Sequence, residues 1–166
     1  MDAKKIIKGK KILIVDDEKD ILETLIEILL ECKIDAATSY EDAKTMLEKN
    51  TYDLAVFDIM GVDGYGLLKI SQERNIPTLM LTANALTPED LKRSAEEGAS
   101  YFAPKEKMYD IETYLADIID SIEKKQNPWK RMFNRLEGYY TKNFNGTDWR
   151  DKEKKFWDEK VKYRIS

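Results

Sequence analysis

The chain has 166 residues, 42% of them hydrophobic, with 28 Lys and Arg against 32 Asp and Glu, so it can bury a core and global disorder is excluded. It has no histidine, which rules out Ser/His and Cys/His catalysis, His-ligated zinc and histidine phosphorylation within the chain, and its one cysteine, Cys32, cannot form an internal disulfide. No apolar run approaches the ~20 residues of a membrane span, and the start Met1-Asp2-Ala3-Lys4-Lys5 lacks the apolar stretch of a signal peptide; with the unpaired cysteine, this points to a reducing cytoplasm.

Lys11-Ile12-Leu13-Ile14-Val15 is a short apolar run that ends in Asp16-Asp17, the pattern of a buried parallel strand. Ile21, Leu22, Leu25, Ile28, Leu29 and Cys32 follow at helical spacing. Residues 34–38 form a second strand, and Ser39, with Asp42 three positions on, caps a helix over Tyr40–Lys49. The third strand, 53–58, again ends in a carboxylate and precedes a short helix, Gly64–Glu73. The fourth strand, 77–82, starts on a proline, where a missing N–H is tolerated. Thr87-Pro88-Glu89-Asp90 supplies the next helix with a cap, a first-position proline and acids in its first turn. A fifth strand, 100–103, and a last helix over 110–125 complete this part. Strands alternating with helices predict a parallel sheet covered on both faces, joined by right-handed crossovers into a doubly wound α/β fold.

Ligands of such sheets sit beyond the carboxyl ends of the strands. Those ends carry Asp16, Asp17, Asp58 and Thr82, with Lys105 after the fifth strand. Taken one at a time, each has an ordinary explanation as a helix cap or polar loop residue. Together, Ile14-Val15-Asp16-Asp17-Glu18, Phe57-Asp58-Ile59-Met60, Asp63-Gly64, Leu81-Thr82-Ala83 and Gly98-Ala99-Ser100-Tyr101-Phe102-Ala103-Pro104-Lys105 resemble the receiver domain of bacterial two-component response regulators, over roughly residues 10–125. The resemblance implies a flavodoxin-like sheet of order 2-1-3-4-5, with Asp58 as phosphoacceptor and Mg²⁺ held by Asp17, Asp58 and the Met60 backbone carbonyl, and by Asp16 through water. It further implies that Thr82 and Lys105 bond phosphoryl oxygens and that Phe102 is a switch aromatic that responds when Thr82 moves. Tyr101, by alternation, faces the other side of the sheet. Crowded carboxylates repel, by ~4 kcal/mol for a pair at about 4 Å in an effective dielectric of 20, and an all-oxygen site of this kind suits Mg²⁺. With no histidine in the chain, the phosphoryl donor is expected to be a sensor histidine kinase, a phosphotransfer protein or a small acyl phosphate.

The chain also departs from the family pattern. Gly61 stands where proline is common, the loop from Asp58 to Asp63-Gly64 is short, and only residues 59–76 join strands three and four, so a truncated third helix is expected. The family's Lys-Pro pair is here Lys105-Glu106, for which a trans bond is expected. Met60 and Asn84 stand where the family tunes phosphoryl lifetime.

Asn127-Pro128 divides a receiver at 1–127 from an extension at 128–166. The extension carries 11 Lys and Arg against 6 Asp and Glu, a net +5, while residues 1–127 carry 17 against 26, a net −9. Trp129, Met132, Phe133, Leu136 and Tyr140 share one helical stripe, and Thr147 caps a second helix with Trp149, Phe156, Trp157 and Val161, giving a helical hairpin. Aromatic spacing and opposite charge favour docking on the receiver or on its copy in a homodimer, over a separate protein partner, with nucleic acid last. The 39 residues after Asn127 are too few for a winged helix or catalytic domain. The leading function is therefore a phosphorylation-controlled switch acting through protein contacts, and the alternative is a receiver-like scaffold that is never phosphorylated. An aspartyl-phosphate enzyme ranks last, because Met60 stands where such phosphatases favour a second acid.

Overall fold

The computed structural model describes residues 1–83, 87–144, 146 and 148–162. Five strands, β1 (Lys11–Val15), β2 (Lys33–Ala37), β3 (Leu54–Asp58), β4 (Thr78–Thr82) and β5 (Tyr101–Pro104), form one parallel sheet in the order β2-β1-β3-β4-β5. The three central strands are buried along nearly their whole length, as expected of a sheet covered on both faces. The helices between them are α2 (Lys19–Ile28), α3 (Tyr40–Lys49), α4 (Gly64–Glu73) and α5 (Pro88–Glu96), followed by a 3-10 turn (Lys105–Asp110) and α6 (Ile111–Glu123).

Local chemistry sets these boundaries. Ser39 Oγ accepts the Asp42 N–H at 3.2 Å at the start of α3, and Thr87 Oγ1 accepts the Asp90 N–H at 3.1 Å at the start of α5. Helix α2 stops at Ile28, short of Cys32, because Leu29 and Cys32 belong to the turn into β2: Leu29 accepts the Cys32 N–H at 3.0 Å. Helix α4 is not truncated; at ten residues it equals α2 and α3. The shortening falls on the loop before it, where Gly61 (φ 84°) and Asp63 (φ 49°) turn left-handed. A Cβ on Gly64 would lie 2.2 Å from the Asp58 carbonyl oxygen, so only glycine permits so sharp a return from β3 into α4. Among the described residues no peptide bond is cis.

A five-residue helix, α1 (Ala3–Ile7), precedes β1 and packs on α6; it is too short to show a sequence period, although Asp2 caps it through the Lys5 N–H at 3.3 Å. After α6 come α7 (Pro128–Asn143), α8 (Asp148–Asp151) and α9 (Lys154–Lys162), with the Asn127 Oδ1 accepting the Trp129 N–H at 3.0 Å to open α7. The second arm of the hairpin is thus broken in two. In an unbroken helix, positions eight apart sit about 80° apart around the axis; the turn between α8 and α9 lets Trp149 and Trp157 share one seam, their ring centroids 6.0 Å apart. The expected cap Thr147 and the position of Asn84 lie outside the described residues. Among the described residues no helix is long and apolar enough to cross a membrane.

Candidate functional site

Parallel register brings the polar strand ends to one rim. Val15 pairs with Phe57, so Asp16 and Asp58 come next on adjacent strands; Asp58 pairs with Leu81, which places Thr82 one step further, and Thr82 pairs with Pro104, immediately before Lys105. Asp16, Asp58 and Thr82 are 1%, 5% and 3% exposed, so this chemistry lies within the protein surface.

Lys105 Nζ is the centre of the cluster. It lies 2.8 Å from Asp16 Oδ2, 3.3 Å from Asp58 Oδ1 and 3.3 Å from Glu18 Oε1. Burial would lower its pKa, but the Asp16 and Asp58 carboxylates outweigh that effect and raise it, so the ammonium stays charged. Burial and the neighbouring Asp16 charge push Asp58 up to about 7, against the pull of Lys105. Asp16 is raised as well, chiefly by burial. Its Oδ1 accepts the Glu18 N–H at 2.9 Å, whereas Oδ2 faces the ammonium without a hydrogen bond of good geometry. One ammonium therefore serves several carboxylates and leaves the rim short of positive charge.

The donor set fits a hard divalent cation. Carboxylate oxygens of Asp16, Asp17 and Glu18 lie within 4.8 Å of one another, and all are oxygen donors, as Mg²⁺ prefers. Backbone approaches this cluster closely: a Cβ on Gly61 would fall 2.5 Å from Asp17 Oδ2, so glycine at this position leaves room for that carboxylate. Met60 lies in the turn after Asp58 with its side chain 70% exposed, turned to solvent.

The sequence reading assigned no role to Glu18. It stands at the N-cap of α2 but makes no capping hydrogen bond, and its carboxylate turns to Lys105 instead. Two residues of α7 are also close by: Tyr139 and Asn143 line a cavity of about 140 Å³ together with Thr82, Ala83, Pro104, Lys105 and Glu106. No spacing rule marks Tyr139 or Asn143, because only tertiary packing brings them here. Phe102 is fully buried with its ring 5.9 Å from that of Tyr140, while Tyr101 stacks on Tyr114 of α6 at 5.3 Å and donates its hydroxyl to Asp117 Oδ2 at 2.9 Å.

The family model for the response regulator receiver domain matches residues 12–125. Among solved structures, a CheY-like response regulator receiver domain from Methanospirillum hungatei aligns with a TM-score of 0.64 and 27% identity, covering 70% of this chain and 98% of that one. The regulatory protein VanRB of Enterococcus faecalis is 33% identical over 103 residues, covering 59% of this chain and 47% of the relative. The two-component response regulator ORR21 of rice is 29% identical over 118 residues, covering 67% of this chain but only 17% of the relative. The chain thus spans less than half the length of either of these two relatives.

Proposed function

Because the chain belongs to the response regulator receiver family, whose members are switches of two-component signalling, we propose that it accepts a phosphoryl group on Asp58 and signals through protein contacts. The observation that carries this reading is the Lys105 ammonium within 3.3 Å of both Asp16 and Asp58 at a buried, carboxylate-rich rim. In this reading residues 1–127 are the receiver and 128–166 its extension.

An Asp58 carboxylate oxygen forms the new bond to phosphorus, and the bond from phosphorus to a donor imidazole nitrogen breaks, with the electron pair leaving on that nitrogen. The donor is a phosphohistidine on a sensor kinase or phosphotransfer protein, since this chain has no histidine of its own. Asp58 must be ionised to attack, and its burial makes that form expensive until positive charge is added. Lys105 supplies part of that charge and is held on the acceptor side by Asp16 and Glu18. The Thr82 hydroxyl, at the end of the neighbouring strand, can donate to a phosphoryl oxygen. Asp17, Asp58 and the Met60 carbonyl would hold Mg²⁺ directly and Asp16 through water, and the gathering of the Asp16, Asp17 and Glu18 carboxylates within 4.8 Å supports a cation at this end of the rim, with Glu18 near enough to assist. When bound, Mg²⁺ neutralises charge on the carboxylates and on the transferring group.

Incubation with Mg²⁺ and acetyl phosphate is expected to add one phosphoryl group by intact mass. Asp58→Asn, or removal of the metal with a chelator, is expected to abolish the adduct. Equal labelling of wild type and Asp58→Asn would sink the assignment.

A further inference from the structure

The helices after Asn127 lie across α5, β5 and α6. Helix α7 packs on α6 and β5. The Trp129 indole N–H donates to the Ala99 carbonyl at 2.8 Å, and the Tyr140 hydroxyl donates to the Phe102 carbonyl at 2.5 Å. Trp129, Met132, Phe133, Leu136 and Tyr140 are all at most 4% exposed, so the stripe is a buried seam.

Charge fixes the seam from both sides. Asp117 of α6 is fully buried and receives Arg135 through Nη2 at 3.0 Å and Nε at 2.5 Å, while Arg131 reaches Asp120 at 2.5 Å. On the α5 side, Lys92 pairs with Glu153 at 3.1 Å and lies 5.4 Å above the Phe156 ring. A buried carboxylate with a bidentate arginine partner is a specific arrangement, because removing one member leaves an unpaired charge. The face therefore selects its occupant, an amphipathic helix with an aromatic side and flanking arginines.

The same helix reaches the rim. Tyr139 and Asn143 close the cavity whose other walls include Thr82 and Lys105, and Tyr140 covers the ring and carbonyl of Phe102. A movement of Thr82 or Lys105 toward a phosphoryl group therefore alters walls that Tyr139 and Asn143 share.

We propose that residues 128–162 are an internal ligand of the α5–β5–α6 face, released when Asp58 is phosphorylated, so that the vacated face can take a partner helix of similar aromatic and basic chemistry. This rests on Asp58 being the phosphoacceptor. Packed interfaces adopt discrete arrangements and do not deform smoothly, so an extension fitted to the resting rim binds the phosphorylated rim less tightly. Linkage makes the effect reciprocal: loosening the extension favours the phosphorylated state by the same factor.

All three tryptophans, Trp129, Trp149 and Trp157, lie in the extension and are buried, so their emission reports its docking. The test uses the full chain with Mg²⁺ and beryllofluoride, a phosphoryl mimic, and follows bound fluoride by ¹⁹F NMR. Tryptophan emission and amide exchange in α7 are measured on the same samples. Wild type is expected to show bound fluoride, red-shifted emission and faster exchange in α7, and Asp58→Asn none of these. Arg135→Gln, which leaves the aromatic seam in place, is expected to tighten beryllofluoride binding by about fivefold or more. Bound fluoride with unchanged emission and unchanged or slower exchange overturns the release proposal and leaves the phosphoacceptor assignment standing. Absence of bound fluoride in wild type overturns that assignment, and the proposal with it.

Discussion

The two edges of the sheet are protected in different ways. At one edge, β2 is only partly buried; Lys33 is exposed, and Asp35 accepts a hydrogen bond from the Tyr52 hydroxyl at 2.6 Å. Charge and polarity along an open strand discourage pairing with another chain. At the other edge every residue of β5 is buried, with α7 packed against it. The first edge is guarded by Lys33 and Asp35 of the strand itself, with Tyr52 bonded to the latter. The second has a removable cover, and that cover touches the cavity beside Thr82 and Lys105. An edge protected by a cover can carry information in a way that an edge protected by charge cannot.

Substitutions at the two edges should differ accordingly. Trp129→Ala removes a side chain that is 1% exposed and anchors the cover, and it is expected to cost about 3–5 kcal/mol in chemical denaturation. A loss below about 1 kcal/mol would show that the cover lies outside the cooperative core. The rim gives an effect of opposite sign. Asn at position 58 mimics the protonated acid, so in metal-free buffer at pH 8 Asp58→Asn is expected to stabilise the fold by about 2–4 kcal/mol. The Asp58 carboxyl is raised to about 7 in the folded chain, so wild type holds its proton there after the unfolded chain has lost it. Its stability therefore falls as pH rises from about 4 to 7. The advantage of the variant should grow over the same interval and be nearly absent below pH 4. Thermal melts of both proteins across that range would check it, and a constant difference would contradict it. The smallest effect belongs to the open edge: Tyr52→Phe removes one hydrogen bond and is expected to cost about 1 kcal/mol.

Much of this was legible in the sequence, for local reasons. Ser39 and Thr87 fix helix starts through their own side chains, and apolar runs ending in Asp16, Asp58 and Thr82 mark strands whose register then gathers those ends. What depended on distant contacts was not legible. Helix α1 has a cap but no length over which a period can show. The loop before α4, and not the helix, absorbed the missing residues, because Gly61 and Asp63 could turn left-handed. Opposite charges and an aromatic stripe suggested that the extension docks on the receiver. That it docks on β5, with Arg135 on Asp117 and Asn143 beside Lys105, follows from tertiary packing that no spacing encodes. Glu18 is an intermediate case: visible beside Asp16-Asp17, yet given its place only by the reach of Lys105.

Asp58 is the one acceptor proposed in the rim. An acyl phosphate is reduced by borohydride to an alcohol, which marks the residue that carried it. After treatment with Mg²⁺ and acetyl phosphate, then borohydride, peptide sequencing by mass spectrometry should find the mark at residue 58 and nowhere else. A mark on Asp16, Asp17 or Glu18, or none in protein that remains folded and metal-loaded, would contradict it.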